Sequence, residues 1–252
     1  MVSMVFLYVT KCITGPGGLT RCRPGGYDLI LFSRLKHPYG TAVTQNRHTN
    51  PDTDNAIILR KPDGNTDGKG RNGLLQDWYR STPRGVVAKP PRQVLAELFT
   101  SMLVLSASFK FRPAVGVPHY LYCIDDAWSL SLIAPGEWSQ ERRSGFVGTF
   151  VLQRDMTWTM TPAERLADNL PVRNALGRFY DAFAKTLDTD LTLEEILPFC
   201  VSSLPYYQRL YASALSRSVR GSVTLGNQAL NSGREWSGML PTRESLLLAL
   251  TA

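Results

Sequence analysis

Histidine and cysteine are scarce in this chain: His37, His48 and His119, and Cys12, Cys22, Cys123 and Cys200, are its whole complement. No two cysteines stand as C-x-x-C, and three dispersed histidines do not supply the missing ligands, so the spacing of a structural zinc site is absent. No disulfide framework is legible. That points to an intracellular, reducing compartment, either cytoplasm or mitochondrial matrix. Long apolar runs are lacking too. A spanning helix needs about 18–20 apolar residues. The longest candidate, Val94 to Ala107, is interrupted by Glu97, Thr100 and Ser101 and reads as a buried helix. The amino terminus lacks a secretory signal, because Val5 to Val9 is too short and Lys11 ends it. Lys11, Arg21 and Arg23 precede the first acid, Asp28, as in a mitochondrial presequence, but Gly15-Pro16-Gly17-Gly18 interrupts the helix such a segment needs.

What is present is enough apolar residue, 43%, to bury at least one core. The net charge of +7 is unevenly spread. Residues 1–50 carry +5, residues 51–118 +4, residues 119–160 −2 and residues 161–252 zero. A basic first half suggests an arm that meets an anionic surface or acts as an address, and otherwise a solvated leader.

Along the chain, residues 1–90 are rich in turn dipeptides, including Asn50-Pro51, Asp67-Gly68 and Asn72-Gly73, and read as an irregular, basic, Gly/Pro-rich arm. From Pro91 a helical period appears, with Leu95, Leu98, Met102, Leu105 and Phe109 on one face. At residue 119 the period changes to two. Strands are expected at 119–122, 128–133, 146–152 and 157–159, joined by short turns such as Asp125-Asp126, so that 91–160 forms a helix and an antiparallel β-meander. Residues 161–252 read as helical. Val172, Leu176, Phe179, Phe183 and Leu187 share one face, Thr192 and Glu195 have capping-box spacing, and a helix from about 205 stops at Gly221. Loop chemistry follows at 222–241, then a short terminal helix at Leu246-Leu247-Leu248. The expected class is α+β, a small four-stranded meander with a preceding helix and a helical C-terminal part.

Three strings in the meander carry a resemblance: Tyr120-Leu121-Tyr122, then SLSLIAPGEW at 129–138, then FVGTFVLQRDMTW at 146–158. They resemble an uncharacterised conserved family, the domain of unknown function numbered twenty-four fifty-two. Its pattern is a Tyr-rich strand, a Ser-rich apolar strand, Pro-x-Glu-Trp, an apolar-Gly strand, then Leu-Gln-x-Asp and a Trp. The family brings no reaction, cofactor or metal, so the resemblance implies a fold segment alone.

Candidate chemistry is thin. Cys123 and His119 share a strand face at i and i+4, about 13 Å apart at roughly 3.3 Å per residue, too far for a nucleophile–base pair. Cys123 reads as a buried structural cysteine. Residues 63–68 open like an EF-hand loop, but position twelve is Leu74 rather than Glu. Gly15–Gly18 and Gly68-Lys69-Gly70 lack the Gly-Lys-Ser/Thr of a phosphate loop. No catalytic residue, metal ligand or cofactor is expected. The aromatic residues of 120–158 read mainly as sheet core. Trp138, with Tyr120 and Tyr122, is the candidate partner-binding set, because Trp138 follows a Pro-Gly turn. The expectation is a non-catalytic binding or scaffold protein with a protein partner. The alternatives are RNA binding through the basic first 118 residues and, more weakly, an enzyme of unrecognised type.

Overall fold

A computed structural model describes residues 4–6, 12–13, 21–22, 31–33, 70–198, 204–228 and 232–248. Near the amino terminus, strand β1 (Met4–Phe6) pairs antiparallel with β4 (Leu31–Ser33), and β2 (Cys12–Ile13) with β3 (Arg21–Cys22). The EF-hand-like residues 63–68 and most of the basic arm lie outside the described residues.

Helix α1 (Gly70–Arg80) falls inside the stretch that reads as irregular. Its turn-forming Asn72-Gly73 sits in the first turn, where such residues cost little, so 70–80 is helical where an irregular arm was expected. Helix α2 (Pro91–Ser106) starts with proline in its first turn, a position whose N–H would be unpaired anyway. It buries Val94, Leu95, Leu98, Phe99, Met102, Leu103, Val104 and Leu105, so it is apolar nearly all round and runs through the middle of the molecule. It ends at Ser106, before Phe109.

The sheet comprises β5 (Pro118–Ile124), β6 (Ala127–Ser131), β7 (Phe146–Leu152) and β8 (Trp158–Pro162), all antiparallel neighbours in the order β6-β5-β7-β8. Asp125 and Asp126, at φ 50° and 62°, make the two-residue turn between β5 and β6. β7 then pairs with β5 rather than β6. β6 and β7 therefore run the same way on either side of β5, and such strands need a crossover of about a dozen residues. Residues 132–145 supply it, with a 3₁₀ turn (Pro135–Glu137) and α3 (Gln140–Ser144). Gly148 is required in β7 because a Cβ there would lie 2.5 Å from the Thr161 carbonyl oxygen of β8.

Alternation places Leu121, Cys123, Leu130, Phe150, Leu152, Trp158 and Met160 on the face toward α2. Each edge makes hydrogen bonds outside the sheet. Ser108 N–H donates to the Trp128 carbonyl (2.9 Å) and its carbonyl accepts from Leu130 N–H (3.1 Å), closing the β6 edge. On the β8 edge, Trp158 N–H donates to Ser101 Oγ of α2 (3.0 Å). These bonds use some of the groups an added strand would need.

The C-terminal part is α4 (Leu170–Leu187), α5 (Leu193–Ile196), α6 (Tyr206–Leu225), α7 (Gly233–Ser237) and α8 (Arg243–Leu248). The Thr192–Glu195 capping box is formed. α6 runs through Gly221 to Leu225 and Gly226, so Gly221 is not its stop; Val86 packs beside it. The turn chemistry of 222–241 likewise gives way to α7, with Trp236 fully buried. One continuous apolar cluster joins α2, the sheet and α4 to α8. Regions 91–160 and 161–252 thus share a core.

Candidate functional site

The sheet face turned away from α2 carries Ser131, Tyr120, Thr149 and Thr161 in one row across the four strands. The crossover covers part of it. Tyr122 is buried there, its ring 5.5 Å from Phe146 and 6.4 Å, edge-on, from Trp138. Its hydroxyl donates to the Ile133 carbonyl (3.0 Å), and burial pushes its pKa up to about 12. Trp138 is half-buried, with the Arg142 guanidinium 4.2 Å from its ring centre. The neighbouring Arg143 holds the turn itself. Its Nε donates to the Pro135 carbonyl (3.1 Å) and its Nη2 to the carbonyls of Gly136 (3.4 Å) and Trp138 (3.2 Å). One cation thereby fixes three carbonyls of an otherwise irregular segment, and the segment presents Leu132 and Ile133 to solvent, 56% and 40% exposed.

Of the three residues read as partner contacts, then, Trp138 and Tyr120 are half-buried and reach the surface. Tyr122 does not: it is buried as the floor on which Trp138 rests, and its role is to position the crossover. The sequence reading missed Leu132, Ile133 and the Arg143 clamp. Two apolar residues just beyond a half-buried strand were the available signal.

A second feature lies at the turn between β7 and β8. A groove of about 490 Å³ is lined by residues of 84–89, 115–116 and 152–159, with Glu97. At its base Lys89 Nζ lies 2.5 Å from Glu97 Oε2 and 2.5 Å from Asp155 Oδ2, all three side chains nearly buried. Asp155 Oδ1 accepts from Thr157 N–H (3.1 Å) and Thr157 Oγ1 (2.7 Å), shaping a turn whose next residue, Met156, has φ 67°. Burial alone would lower the Lys89 pKa, but the two carboxylates outweigh it and raise it. Burial would likewise raise Asp155, and Lys89 and Thr157 outweigh it and lower it. A permanently charged, paired lysine is a poor nucleophile or base, so the arrangement ties the 153–157 turn to α2 rather than performing chemistry. Asp155 is the acid of the Leu-Gln-x-Asp string.

Cys123 and His119 do not meet as a catalytic pair. Burial, with Asp126 adding to it, pushes the Cys123 thiol up to about 12. His119 is fully buried, stacked on Phe111 (5.7 Å) and edge-on to Trp158 (5.2 Å). Burial pulls its pKa below 6.5, only partly offset by the Val117 and Phe150 backbone. A depressed folded pKa means the unfolded chain takes the proton first. Stability from this site is full above about pH 6.5 and drains away as pH falls below it. Urea unfolding at stepped pH should show that slope, and His119→Leu should flatten it.

Among the described residues no group of three or more His, Cys, Asp or Glu is placed to hold a metal ion, and no helix is long and apolar enough to cross a membrane.

The fold is thus α+β, an antiparallel four-stranded sheet with helices before and after it. Residues 86–176, from the segment before α2 into α4, match the model of a family described as "Protein of unknown function (DUF2452)". The match contains all three strings of 120–158 and extends the resemblance over α2. No curated protein and no solved structure matches the chain.

Proposed function

We propose that this chain is a non-catalytic binding or scaffold protein, a component of a larger assembly, that meets a protein partner through the crossover 132–145. The observation that supports this reading is the Arg143 clamp. An exposed segment held rigid before binding loses little entropy on docking. It carries Trp138 and Arg142, of the residue types that dominate binding energy at interfaces, beside exposed Leu132 and Ile133, with half-buried Tyr120 on β5.

The test is affinity purification from the native source with the wild-type chain, Trp138→Ala and Leu132→Asp, each checked by thermal unfolding. Trp138→Ala should leave melting nearly unchanged and weaken one co-purifying protein by about 2 kcal/mol or more, as an aromatic hot spot does. Leu132→Asp should lose the same protein. Equal retention by wild type and both variants would refute the reading. If RNA co-purifies instead, and its affinity falls steeply with salt, the partner is RNA held through the basic first 118 residues.

A further inference from the structure

Helix α1 is docked the wrong way round for an amphipathic helix. Asp77 and Ser81, one turn apart, face the domain and are 6% and 2% exposed. Asp77 Oδ2 accepts from the Tyr206 hydroxyl (3.1 Å) and its Oδ1 from Arg112 Nη1 (3.4 Å), while Ser81 Oγ donates to the Trp78 carbonyl (2.9 Å). The apolar residues Leu74, Leu75, Trp78 and Tyr79, at i, i+1, i+4 and i+5, form one stripe on the outside. They are 39%, 59%, 46% and 68% exposed, and Val87 beyond the helix is 57% exposed. Ordinary folding hides such a stripe and leaves the acid in water. Here buried hydrogen bonds hold the polar side in and the apolar side out.

The rim of the stripe is cationic. Arg217 of α6 lies 4.3 Å over the Trp78 ring and donates to the Ser81 carbonyl, and Arg84 lies 5.3 Å over the Tyr79 ring. Arg80, Arg84 and Arg92 are also exposed in this region, and the one acid of α1, Asp77, is turned inward. The combination of aliphatic side chains, Trp, Tyr and Arg with no exposed carboxylate on the helix is the chemistry of a helix that lies in a lipid interface. Apolar groups enter the headgroup boundary, the aromatic rings sit at it, and arginines meet anionic headgroups.

We propose that α1, with Val87, is a docking face for an anionic lipid surface. The helix lies on the bilayer and does not span it. Its aliphatic residues distinguish this face from a single-stranded nucleic-acid platform, which needs aromatic stacking positions rather than Leu and Val.

The test uses the full chain in co-sedimentation with vesicles of phosphatidylcholine alone and of phosphatidylcholine mixed with phosphatidylserine. Binding is expected to the anionic vesicles only, weakening as salt is raised. The double variant L75E/Y79E, whose changes are both on the surface, should lose at least about tenfold in affinity with its melting temperature unchanged, since it removes buried apolar area and adds like charge. Arg84→Ala should reduce the preference for anionic over neutral vesicles. No binding to anionic vesicles, or binding that the double variant leaves intact, overturns the proposal. So does a double variant that instead changes the chain from dimer to monomer, which would mean a second copy covers the stripe, or one that loses RNA rather than vesicles.

Discussion

Lys89→Ala is expected to destabilise the protein by about 3 kcal/mol, the lower end of the range for removing one partner of a buried ion pair. The loss of a lysine on the surface would cost far less. Here it leaves the carboxylates of Glu97 and Asp155 facing one another in a nearly buried place with no cation between them. The lower end applies because the groove beside them admits water. Adding Glu97→Gln to Lys89→Ala should restore part of the loss, because one of the two stranded charges is removed. The pH behaviour follows from the directions of the shifts. The lowered Asp155 pKa contributes stability above 3.8 that is lost as pH falls through its folded value. The raised Lys89 pKa contributes stability that is full below 10.5 and is lost as pH rises through its folded value. Wild type should therefore weaken at both extremes. Denaturant midpoints across pH, compared between wild type and the two variants, measure all of this; a Lys89→Ala midpoint close to wild type at neutral pH would show that the triad is not a buried tie.

Trp158→Ala should cost about 3–5 kcal/mol, a large part of the stability of an ordinary domain. Trp158 is 2% exposed at the meeting of β8, α2 and His119. Truncation leaves a cavity in the one apolar cluster that joins the sheet to the C-terminal helices, and the close-packed neighbours cannot collapse into it without moving β8 off Ser101. Trp138, in the same family strings, is the contrast: part of it already meets solvent, and its removal empties a surface notch rather than a core. Thermal unfolding of the two variants side by side should separate them widely. Equal, severe losses would make Trp138 a core residue and leave the crossover without its anchor.

How far the sequence was legible depended on range. The four strands, α2, α4 and the Thr192–Glu195 box were all readable, because each is a matter of local period or a cap within four residues. Strand order was not, since the pairing of β7 with β5 is decided by where the crossover lies, and nothing in 132–145 states that. α1 was missed because its stripe points outward and its buried residue is an aspartate, the reverse of the pattern a search for amphipathic helices uses. α6 outran Gly221 because the close approach of Val86 favours a residue without a side chain there, which is a packing reason for glycine rather than a stop signal. For the candidate surface, the turn before Trp138 was a local signal for a side chain that is only half-buried. The Arg143 clamp is a tertiary geometry that no local period or cap announces, and only the folded chain brings Tyr122 under Trp138 and Lys89 to Asp155.

The central claim, that the crossover 132–145 is where a partner protein docks, is tested most directly by amide hydrogen exchange of the chain with and without the protein that co-purifies with it. The account predicts slowed exchange in 132–145 and in β5 beneath it, absent with Trp138→Ala. Slowed exchange confined to 84–89 and 153–159, around the groove, or no change in 132–145 at saturating partner, would contradict it.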